Sequence, residues 1–124
     1  MIQKIKRHTI SFRHAFEGLI WCLKTQPNYK IHLTLSFLSI AAGIYLQISY
    51  FEMLLVLFLI TTGLVVETIN TGLEQTTDAI DRKIREDIKI AKDVAAAAML
   101  VYAFGSTIIA SFIFIPRVIN LIFK

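Results

Sequence analysis

The chain has few of the residues that staple or interrupt a fold. Cys22 is the one cysteine in 124 residues, which excludes an internal disulfide and a cysteine-built metal centre. Two prolines and five glycines leave no Pro/Gly-rich linker, and there is neither an internal repeat nor a low-complexity segment. Charge is absent from residues 33–51 and again from residues 94–115. No G-x-x-x-x-G-K-[ST] or G-x-G-x-x-G occurs, so the glycine-rich phosphate cradles of P-loop proteins and protein kinases are excluded. The first 28 residues lack an uninterrupted apolar core, because Arg13, His14 and Glu17 break it, so no cleaved signal peptide is expected.

What remains is strongly apolar. The chain is 56% hydrophobic with a mean hydropathy of +0.64, too apolar for an ordinary soluble domain of this length. A span of the bilayer needs about 20 predominantly apolar residues. Residues 33–51 and 94–115 satisfy this unaided, while 53–66 run without a Gly-Pro break into a polar continuation. The expected fold class is therefore all-α and integral to the membrane, a single domain over 1–124. Three transmembrane helices are expected at 30–50, 52–81 and 89–119. An N-terminal amphipathic surface helix is expected at 2–26, where Ile5, Phe12, Phe16, Leu19 and Leu23 recur among basic residues. Trp21, Tyr29, Tyr45 and Tyr50 suit an aromatic belt, and Gly63, Gly72, Gly105 and the alanines 95–98 suit close helix packing.

The net charge of +4 raises nucleic acid as a partner. The basic residues instead flank the apolar segments, as membrane orientation requires, so no nucleic-acid partner is expected. Lys and Arg crowd the N-terminal segment and the turn at 82–92, and none lies around 47–52. The positive-inside rule then puts the N-terminus and the second turn in the cytoplasm of a cell membrane.

The acidic residues are where an apolar helix would least tolerate them. At about 100° per residue, Glu67, Asn70, Glu74, Asp78 and Asp81 fall within an arc of roughly 80°. Stacked like charges repel, and ionisable groups in a membrane are costly unless paired or functional. A bound cation, Mg²⁺ carrying phosphates, accounts for the stripe. Glu67, Glu74 and Asp78 offer a base and metal-binding oxygens, and Lys92 at the start of the last span offers a positive group for a phosphoryl in transfer. Asp93 stands ready to orient Lys92 or a ligand hydroxyl. Asp81 reads as structural beside Arg82, and His8, His14 and His32 do not share one helix face as a metal set would.

Glu67-Thr-Ile-Asn70-Thr-Gly-Leu-Glu74-x-x-x-Asp78, with Ala91-Lys92-Asp93 and the small residues after it, resembles the signature of the prokaryotic diacylglycerol kinase and undecaprenol kinase family. The resemblance implies a homotrimeric lipid kinase that uses ATP as co-substrate and Mg²⁺ as cofactor. It implies Glu67 as catalytic base on the lipid hydroxyl, Asn70 as the residue holding the site together, and Glu74 as a magnesium ligand. Lys92, Asp93, Asp78, Arg7 and His14 take nucleotide-binding roles by the same resemblance. At a second metal position the family usually has Glu, and here Gln26 stands there, a poorer ligand. Residues 11–18 and Asn28-Tyr29-Lys30-Ile31-His32 look more like the undecaprenol kinase branch. Undecaprenol is thus favoured as acceptor, with diacylglycerol open. A non-catalytic subunit that binds nucleotide or scaffolds a partner stands as the alternative, motivated by Gln26. A phosphatase on the same architecture is disfavoured, since no His or Cys nucleophile lies near the carboxylates.

Overall fold

The computed structural model describes residues 2–81 and 85–123, with side chains from 11 onward in that set. These residues form four helices: α1 (Ile2–Thr25), α2 (Pro27–Tyr45), α3 (Tyr50–Ile80) and α4 (Glu86–Ile122). There is no strand among the described residues. Two of the helices, α3 and α4, are long and apolar enough to cross a membrane.

The register of α2, α3 and α4 follows from contacts spaced along their lengths. Thr68 of α3 lies 3.4 Å from the Tyr29 hydroxyl near the start of α2. At the other end of that pair, Gly43 of α2 packs against Met53. Lys92 of α4 reaches Asp78 of α3, Tyr102 donates to the Leu59 carbonyl, and Arg117 reaches Glu52. Each helix therefore runs antiparallel to the next, with α3 in the middle. The α3–α4 seam is the more extensive one, and α1 touches α2 and α3 lightly.

Gly63 has a specific reason to be glycine. A Cβ there would sit 2.7 Å from the Tyr102 ring, so its absence is what lets α3 and α4 meet at that level. Gly72 and Gly105 have open space around them within the chain, contrary to the packing expected of them. Of the alanine run, Ala95 is buried and the next three are exposed.

The first apolar run is not one helix. The span expected at 30–50 starts earlier, at Pro27, and ends at Tyr45; residues 46–49 form a turn in which Gln47 adopts φ 51°. Ser49 then opens α3 with a reciprocal cap: its hydroxyl accepts from the Glu52 amide, and its own amide donates to the Glu52 carboxylate at 2.6 Å. The helix so begun carries both the apolar run and the carboxylates to Ile80, as a single element. Asp81 lies beyond it in extended conformation and so leaves the acidic stripe. It stands 4.0 Å from Arg85, while Arg82, its expected neighbour, lies outside the described residues. Tyr29 is buried at the α2–α3 contact rather than in an aromatic belt, whereas Tyr45 and Tyr50 are exposed.

Candidate active site

Glu67 is the most enclosed charged side chain described, 2% exposed, and Asn70 and Thr71 are buried with it. Burying a carboxylate costs free energy unless neighbours compensate it. Asn28 and His32 of α2 offset part of that cost: the Asn28 side chain is within hydrogen-bonding reach of Glu67, and the His32 ring stands nearby. Neither residue was singled out for the site by sequence pattern, and His32 corrects the expectation that no histidine lies near the carboxylates. The available signal was their i, i+4 spacing at the start of α2, which puts both on one face, but nothing local says that this face meets Glu67.

One turn along α3, the Asn70 amide donates from Nδ2 to Glu74 Oε1 at 3.5 Å. Its Oδ1 is buried and has no partner among the described residues. Buried amide oxygens are nearly always satisfied, so this orphan marks a position made for a ligand or a water. Glu74 and Asp78 are half-buried, further toward the end of α3. Lys92 Nζ donates to Asp78 Oδ1 at 2.5 Å, closing the end of the α3–α4 seam. Asp93, the next residue, is exposed and points away from that contact by about 100° of helix rotation.

The remaining expected site residues are less closely gathered. Gln26 precedes α2; its amide Nε2 lies 3.4 Å from the Thr25 hydroxyl, and its backbone donates to the Cys22 carbonyl. His14 is exposed on α1, with Nδ1 3.2 Å from Glu17, which also accepts from Arg13 at 2.9 Å. Arg13 and then His14 hold the Glu17 carboxyl below the usual carboxylate range. The Arg7 side chain lies outside the described residues.

Among the described residues, no three His, Cys, Asp or Glu side chains converge into a metal cage. Magnesium bound with a nucleotide does not need one, because one or two carboxylates and the phosphates suffice. Half-exposed Glu74, with the orphaned Asn70 oxygen beside it, fits that mode of binding.

The arrangement is therefore a buried carboxylate at the inner end of a polar seam and an acid–lysine pair at its outer end. Residues 13–114 match the profile of the family described as Prokaryotic diacylglycerol kinase. The chain belongs to that family. It is 32% identical over 114 residues to the undecaprenol kinase of Bacillus subtilis (strain 168), covering 92% of this chain and 93% of that one. It is 31% identical over 116 residues to the diacylglycerol kinase of Synechocystis sp. (strain ATCC 27184 / PCC 6803 / Kazusa), covering 90% of this chain and 65% of that one. As a member of this family the protein is a membrane lipid kinase, which disfavours a phosphatase.

Proposed function

We propose that this kinase transfers the γ-phosphoryl group of ATP to the hydroxyl of a membrane lipid alcohol, with undecaprenol favoured as acceptor. The burial of Glu67 among Asn28, His32 and Asn70 carries the reading. A carboxylate held dry at one end of a polar seam is suited to take one proton from an alcohol delivered through the membrane. Glu67 lies about 22 Å along the helix from Glu52, and Asp78 about 39 Å, at 1.5 Å per residue. Against a hydrocarbon thickness of roughly 30 Å, with Glu52 and Arg117 at one face, Glu67 lies just beneath the other face and Asp78 beyond it. The basic turn after α3 makes that second face the cytoplasmic one, where ATP is available. In this reading α2 is the third span, α1 lies on the surface, and three copies assemble to complete the sites.

The alcohol proton passes to a Glu67 oxygen as the hydroxyl oxygen bonds to the γ-phosphorus and the bond to the ADP oxygen breaks. Asn28 and His32 hold the carboxylate in place. Asn70 fixes Glu74 through its Nδ2. Glu74 would hold magnesium, which when bound offsets phosphate charge. Lys92 has three donors, so it can keep Asp78 and still give a hydrogen bond to a phosphate. Family likeness alone supports nucleotide-binding roles for Asp93, His14 and Arg7, and Gln26 serves as a weak oxygen donor at most.

The test is phosphoryl transfer by purified protein in mixed micelles with Mg²⁺-ATP, with undecaprenol and diacylglycerol in separate reactions. Undecaprenol phosphate is the expected product. Glu67→Gln should lower kcat by about 10²–10⁴-fold, the usual worth of a general base, while ATP binding persists. Wild-type turnover in that variant would refute the assignment of the base.

A further inference from the structure

The bond between Lys92 and Asp78 joins two helices. Asp78 stands in the last turn of α3 and Lys92 in the second turn of α4. Nζ lies 2.5 Å from Oδ1, and Lys92 is the one ion-pair partner of Asp78 among the described residues. The guanidinium of the same turn is engaged elsewhere: Arg85 binds Asp87 at 2.6 Å and stands 4.0 Å from Asp81. Glu74, one helical turn before Asp78 on the same face, accepts instead from Asn70. The acidic stripe is thus divided, with Glu74 turned to its own helix and Asp78 to α4.

Lysine carries its charge on a flexible four-carbon stem, so an unheld ammonium samples many positions. A positive group that acts on a phosphoryl in transfer is worth most when it is fixed before the nucleotide arrives. Both members of the pair are part-exposed, and an ion pair so open adds little to stability. What the bond does is fix the ammonium. The Asp78 carboxylate is badly suited to the nucleotide itself, because its negative charge repels phosphates. Paired, that charge is met by Lys92, and the ammonium stands where a metal ion would approach the same oxygen.

Resting on the kinase reading, we infer that Asp78 is a positioning residue: its carboxylate holds Lys92 Nζ ready for the nucleotide phosphates and touches neither nucleotide nor metal. This departs from the nucleotide-binding role that family likeness gives it. Asp78 acts only through Lys92, so its worth vanishes when the ammonium is gone. Glu74, not Asp78, is then the carboxylate of the stripe left for a metal ion.

The experiment is a double-mutant cycle on wild type, Asp78→Ala, Lys92→Met and the double variant. Two quantities are read at several Mg²⁺ concentrations: kcat/KM for ATP, and Kd for a radiolabelled non-hydrolysable ATP analogue by equilibrium dialysis. Asp78→Ala should lower kcat/KM about tenfold, within the range of coupling between residues in contact, and weaken analogue binding. In the Lys92→Met background the same change should cost nothing more. Asp78→Asn keeps a carbonyl oxygen that can accept from Lys92, so it should recover part of the loss. The Mg²⁺ concentration for half-maximal rate should match wild type in every variant. Equal losses in both backgrounds would overturn the inference and make Asp78 a nucleotide contact or a structural residue in its own right. A raised Mg²⁺ requirement in Asp78→Ala would overturn it in favour of a metal ligand. If Asp78→Ala does not fold, Asp78→Asn completes the same cycle with the same criteria. No turnover of any lipid alcohol by folded wild type would defeat the kinase reading, and the cycle in analogue Kd would still decide the role of Asp78.

Discussion

At the scale of single residues, the site divides between a buried group and a half-exposed pair. Glu67 is enclosed, and in the proposed mechanism its substitution acts on chemistry. Lys92 and Asp78 have about a third or more of their side chains exposed, 36% and 42%. An ion pair so open contributes little to stability, about 0–1 kcal/mol. Lys92→Met is therefore expected to raise KM for ATP about tenfold or more while the melting temperature moves by only a few degrees. Titration of ATP against initial rate, alongside a thermal melt, checks both halves. Much of this site was legible in the sequence, because carboxylates at i, i+3, i+4 spacing in an apolar run can only form a stripe. The contribution of Asn28 and His32 was not, because which face of α2 meets Glu67 is a tertiary fact with no local pattern. His14, by contrast, bonds within α1 to Glu17, so a nucleotide role for it rests on family likeness alone.

At the scale of helices, α3 behaves as its sequence suggests and α2 does not. The uncharged run at 33–51 reads as one span because none of Leu46, Gln47 or Ile48 is a residue that usually breaks a helix. Gln47 takes the left-handed conformation that glycine or asparagine would favour. The readable signal was Ser49 with Glu52 three residues later, the pattern of a reciprocal helix cap. The α3–α4 seam depends on the missing Cβ at residue 63. Gly63→Ala is expected to push the Tyr102 ring aside and cost about 1–3 kcal/mol, as overpacking does. Chemical denaturation in detergent would show this, and Tyr102→Leu in the same chain should restore part of the loss. An unchanged midpoint for Gly63→Ala alone would mean that the helices do not depend on this approach.

At the scale of the whole molecule, the chain exposes 9803 Å² of surface. A compact soluble protein of its mass would expose about 6,700 Å². Its exposed side chains include Phe12, Phe37, Phe58, Phe104 and Phe112, which occur on every helix. A surface this large and this apolar needs lipid and other copies of the chain to cover it. Purified in a mild detergent, the protein is expected to run as a stable oligomer of three chains, checked by light scattering with the detergent mass subtracted. A single-chain mass with full activity would exclude shared sites.

The turn that ends α2 also offers a place for engineering. Gln47 keeps a left-handed backbone, and its carbonyl accepts from Arg117 at 3.2 Å, so what the turn uses is the main chain. Its side chain is dispensable to that bond. Gln47→Gly should relieve the backbone and add about 1 kcal/mol of stability, raising the melting temperature without altering KM or kcat. The turn lies at the opposite end of α3 from Asp78 and Lys92. A change there can lengthen the working life of the extracted enzyme while its chemistry stays untouched, which makes residue 47 the natural first substitution for a longer-lived preparation.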